Sequence, residues 1–346
     1  MPYKKIITLL LVLLLLTHVD SGAEIPSGTD SGGYSAFSAG KEFSSFITVF
    51  YISPRPDKVP EVLQHLMTSD TFKDAVVEKD GEFVLTQKAV LLVYVFARLA
   101  ELYPQLLRDY ERLFNSADLR GRTFLLTVFI TCSDQSNRAF LKERTANLRS
   151  AEEKKTVDII LNKPPLTTAA IIKEVKSALE LDCLWAEFLL TGEKEPVEKV
   201  IGVLARPDIF RTRLTTWLSG SSPSEENGKI KDILEKYWNI KVDLADKRIV
   251  APADAAIDLD IHCGLILRNS TVNKKDLTKD FAELRKVIGL SDEDIFVLVM
   301  KSTAAWSLYS NARQHEKVRE ICSETVANQP PKVRFYLTQV LNIQSE

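Results

Sequence analysis

The sequence predicts an all-α protein built from antiparallel helix pairs, arranged as an irregular helical array of the HEAT or TPR solenoid kind or as a bundle. Three observations predict it. Apolar residues recur at three and four positions, rather than two, in nearly every long segment. The connections between those segments are short and carry turn residues, which makes neighbours in sequence antiparallel neighbours in space. Strand-like stretches are few and brief, the clearest lying at 241–244 and 248–250.

In chain order the first element is a leader over residues 1–23. Lys4 and Lys5 precede a short apolar run from Ile6 to Leu16, and Ser21, Gly22 and Ala23 supply the small residues a signal peptidase requires. That run is about half of the roughly 20 residues a membrane-spanning helix needs. Cleavage before Glu24 is therefore expected, leaving no integral membrane span. No cysteine stands at the junction, which excludes a lipid-modified N-terminus. Residues 24–40 are rich in Gly and Ser and poor in large apolar side chains, and read as a flexible tether. Residues 41–346 form the helical domain, with a loop or subdomain break at 219–228, where Ser, Gly, Pro and Asn cluster. The expected location is the periplasm or the exterior of a bacterial envelope.

Within that domain the periodicity predicts helices over 83–103, 106–114, 123–131, 135–148, 168–190 and 196–205. Beyond the break it predicts helices over 229–238, 253–268, 274–288, 292–310, 315–327 and 332–341. The 83–103 segment is apolar almost all round and should be a central buried helix. Pro104 opens the next helix, because proline is tolerated in a first turn and not inside.

Two stretches echo one another. Trp185 matches Trp306, Phe188 matches Tyr309, Val197 matches Val318, and Val200 and Ile201 match Ile321 and Cys322. Each should be a helical hairpin in which an aromatic ridge packs on the Val and Ile ridge of the following helix. A weaker echo spans 124–140. Their uneven spacing does not make a regular solenoid.

The chain has 346 residues, 45% hydrophobic and 27% charged, enough to bury one large core or two smaller ones. Its formal net charge is −2 and no basic stripe appears, which argues against nucleic acid. Cys132, Cys183, Cys263 and Cys322 are far apart and sit among apolar residues. They read as buried thiols, although an even number in an exported chain also permits two disulfides. There is no CxxC for redox or zinc chemistry.

Three motifs carry a resemblance: 51–60 (Tyr-Ile-Ser-Pro-Arg-Pro-Asp-Lys-Val-Pro), 182–192 (Asp-Cys-Leu-Trp-Ala-Glu-Phe-Leu-Leu-Thr-Gly) and 305–315 (Ala-Trp-Ser-Leu-Tyr-Ser-Asn-Ala-Arg-Gln-His). The chain resembles, over residues 44–327, a family of exported bacterial helical proteins with no known activity. The resemblance implies an all-helical fold and an envelope setting, and it brings no catalytic residues.

The sharpest chemical pattern is Asp254, Asp258 and His262, which recur every four residues along the predicted 253–268 helix and so share one stripe. Carboxylate and imidazole at that spacing are a known way to hold a transition metal with a position open to water. A solvated polar stripe explains the same pattern more simply, since metal sites recruit ligands from several elements. No metal or cofactor is therefore expected. His315 reads as a polar residue at a helix start and His65 as a helix-face residue. Trp185, Phe188, Trp306 and Tyr309 read as core by their helical spacing, with an aromatic docking patch as the alternative.

Nucleophile and phosphate motifs such as GxSxG, HExxH, GxxxxGK[ST] and GxGxxG are absent. Ser38 and Lys41 fit SxxK beside the tether, a pattern too short to weigh, and Asn269, Ser270 and Thr271 form a glycosylation acceptor meaningful only in a eukaryotic secretory route. The expectation is a non-catalytic exported protein that binds a protein or peptide partner. The alternative is a metal-assisted envelope hydrolase using Asp254, Asp258 and His262.

Overall fold

A computed structural model describes residues 39–79, 82–132, 154, 167–222, 224–251, 257–269 and 274–342. The fold is all-α, as the periodicity predicts, with two small antiparallel hairpins. The leader, nearly all of the tether, the helix expected over 135–148, Asp254, Ser270 and Thr271 lie outside the described residues. Among the described residues no helix is long and apolar enough to cross a membrane. The chain divides into two compact units, one ending at Lys199 and the other running from Val200 to Glu346.

The first unit opens with α1 (Ala39–Thr48), a 3-10 turn at Pro56–Lys58, α2 (Val59–Thr68) and α3 (Asp70–Ala75). A hairpin follows, β1 (Val76–Lys79) paired with β2 (Glu82–Leu85). Then come α4 (Gln87–Leu102), α5 (Leu106–Ser116), α6 (Leu119–Thr131), the single turn α7 (Thr168–Ile171) and α8 (Ala178–Thr191), and α9 (Lys194–Leu204) runs across the boundary between the units.

Helix α4 is the centre of this unit. Tyr94, Val95, Phe96 and Ala97 are consecutive and all buried, so it packs on several sides, against α6 and α8 among others. Phe124 stands edge-on to both Phe96 and Phe72, at 6.1 and 5.2 Å between ring centres. Helix starts are set by side chains: Ser69 accepts the Phe72 N–H and Asp118 accepts the Gly121 N–H. Gly192 ends α8 at φ 67°, a left-handed conformation that favours glycine.

One buried carboxylate joins α8 to α4. Glu187 accepts the Tyr94 hydroxyl at 2.7 Å and two guanidinium nitrogens of Arg98 at 2.9 to 3.0 Å. This charge-assisted fork satisfies the buried acid.

Two expectations are corrected in this unit. Residues 83–85 belong to β2, and the helix starts at Gln87, because Thr86 is extended (φ −79°, ψ 175°) and the β-branched Val76, Val77 and Val84 suit a paired strand. The helix expected over 168–190 is interrupted between Ile171 and Ala178, where Ser177 is extended.

The second unit contains α10 (Ile209–Gly220), α11 (Glu225–Trp238), the hairpin β3 (Lys241–Asp243) and β4 (Arg248–Ala251), and α12 (Leu259–Asn269). It continues with α13 (Lys274–Ile288), α14 (Asp292–Gln314), α15 (Glu316–Val326) and α16 (Pro331–Leu341). Its core gathers Phe210, Leu214, Leu234, Trp238, Leu284 and Leu298. The stretch 219–228 covers the end of α10 and the start of α11 within this unit.

Among the described helices, α12 packs most extensively on α14. A Cβ on Gly264 would lie 2.3 Å from Ser302 Oγ, so only glycine permits this approach. In the same unit α14 packs on α15, α15 on α16, and α16 back on α14. Cys132, Cys183, Cys263 and Cys322 are all buried thiols, as expected from their apolar surroundings.

Candidate functional site

The N-termini of α10 and α12 cap one another. Asp208, the N-cap of α10, accepts the Arg211 N–H at 3.1 Å and, with its other oxygen, the N–H of Leu259 at the start of α12. Asp260 in α12 returns the contact, accepting the Phe210 N–H at 2.7 Å and the Ile209 N–H at 3.0 Å. Asp258 caps its own helix through the N–H groups of Asp260 and Ile261. First-turn N–H groups have no partner inside a helix and carry the positive end of its dipole, which is why carboxylates gather there.

Lys301 of α14 enters the centre of this arrangement and is fully buried. Its ammonium lies 2.5 Å from Asp258 Oδ2, 3.2 Å from Asp260 Oδ2, 2.9 Å from the Arg206 carbonyl and 3.2 Å from the Pro207 carbonyl. Helix α16 closes the other side: Lys332 binds Asp208 at 2.8 Å, and the Tyr336 hydroxyl donates to the Asp258 carbonyl.

Burial raises the Asp258 carboxyl, and the Asp208 charge adds to that, while Lys301 opposes both. Burial likewise pushes Asp260 up to about 6 against the pull of Lys301 and two backbone N–H groups. Asp208 moves the other way: burial acts to raise it, but the hydrogen bonds from Lys332, Leu259 and Arg211 together bring it below the ordinary value. Burial also lifts the Cys263 thiol and the Tyr336 hydroxyl.

Among the described residues, Asp208, Asp258 and Asp260 are the three ligand-type side chains whose donor atoms all fall within 4.8 Å of one another. Such an oxygen set suits a hard divalent cation. Here the ammonium groups of Lys301 and Lys332 take those oxygens.

The expected stripe is placed differently. Asp258 is the cap residue before α12 and so is not on a helical face, because its side chain fixes where the helix begins. His262 Nε2 lies 2.7 Å from the Trp238 carbonyl oxygen. A carbonyl only accepts, so that nitrogen carries the proton, and the lone pair of the neutral ring is left on Nδ1. The residues that do surround Asp258, namely Asp208, Asp260 and Lys301, come from separate helices. One signal for them exists in the sequence: Lys301 is the single charge in the apolar and small-residue run from Ile295 to Trp306.

The aromatic echo also divides. Trp185 and Phe188 are buried, as expected. Trp306 and Tyr309 are 39% and 44% exposed, which corrects the reading of them as core. Helix α14 buries Leu298, Ala304, Ala305, Leu308 and Ala312, and turns Trp306, Tyr309 and Arg313 outward at spacings of three and four. His315 is the cap residue at the start of α15, the helix-start position expected of it; it is buried, and burial lowers its pKa.

Comparison with protein-family models, with curated proteins and with solved structures finds no match for this chain.

Proposed function

We propose that this chain is a non-catalytic exported protein of irregular helical-array type, and that it binds a protein or peptide partner in the cell envelope. The observation that carries the reading is the exposure of Trp306 and Tyr309, one turn apart on a helix that buries Leu298, Ala304, Ala305, Leu308 and Ala312. Large aromatic side chains offer much contact area for little lost freedom, and they dominate binding energy at protein interfaces. The leader at residues 1–23 supports an envelope setting. The engagement of Asp258 by Lys301 supports binding over metal-assisted hydrolysis.

The test is photo-crosslinking in the envelope of the producing cell, with a benzophenone amino acid at position 306 and, as control, at the exposed position of Val250. The reading expects a discrete protein or peptide adduct from position 306 and none from the control. Equal labelling from both positions, or none from either, contradicts it.

A further inference from the structure

We draw no further inference here: the strongest candidate, the aromatic patch of Trp306 and Tyr309 on the exposed face of α14, belongs to the surface already described, and nothing in the structure shows the chemistry of what covers it.

Discussion

Lys301 Nζ lies 2.5 Å from Asp258 Oδ2, and both side chains are sealed from solvent. The pair ties the middle of α14 to the first turn of α12, and the two carbonyls before α10 complete the cation's shell. Breaking a buried ion pair by removing one partner leaves the other charge uncompensated, at a cost of about 3–5 kcal/mol. Lys301→Ala should therefore lose stability of that order at pH 7.5 in urea unfolding. Part of the loss should return at pH 5, where the orphaned carboxylates take protons. A loss unchanged between the two pH values would count against an electrostatic origin.

Gly264 and Ser302 hold the α12 and α14 backbones close together. Gly264→Ala places a methyl 2.3 Å from the Ser302 hydroxyl and should destabilise by about 1–3 kcal/mol. Adding Ser302→Gly removes the obstructing side chain, so the double variant should be more stable than the sum of the two single losses predicts. Urea midpoints of the three variants check this, and strict additivity would show that the two residues do not meet.

The two halves of the aromatic echo should respond oppositely to truncation. Phe188 is fully buried in the first unit, and Phe188→Ala should cost about 3–5 kcal/mol of folding stability. Tyr309→Ala, on the exposed face of α14, should cost less than about 1 kcal/mol. Thermal unfolding of both variants decides this, and a large loss in Tyr309→Ala would mean that the residue belongs to the core after all.

His315 should make the folded chain less stable as the pH falls. Its buried ring takes a proton only below the 6.5 of a free imidazole. The stabilising effect of its neutral form is therefore complete above 6.5 and is lost as the pH drops below that value. In His315→Gln the stability between pH 7.5 and 5.5 should decline less than in wild type. An identical slope in both proteins would place the proton uptake elsewhere.

Much of this fold is written locally. Helices such as α13 are legible because apolar residues every three or four positions fix both their type and their buried face. The β1–β2 hairpin was not, since Phe83 and Leu85 join smoothly to the apolar pattern of α4 and only the extended Thr86 separates them. The carboxylate node was legible in one residue, Asp258. Asp208 lies 51 residues upstream of Leu259, whose N–H it accepts, and Lys301 lies 43 residues downstream of Asp258. Helix-face spacing reports neighbours within one element, whereas this site is assembled from the ends of two helices and the middle of a third. The exposure of Trp306 was hidden for a related reason: an aromatic at helical spacing looks the same whether a partner helix covers it or not.

The most direct test of the functional account is the affinity of the partner captured at position 306 for wild type and for Trp306→Ala, measured by calorimetry on folded proteins. The account predicts that the variant keeps its thermal midpoint and loses about 30-fold or more in affinity, as expected when a central aromatic anchor is removed. Unchanged affinity would contradict it.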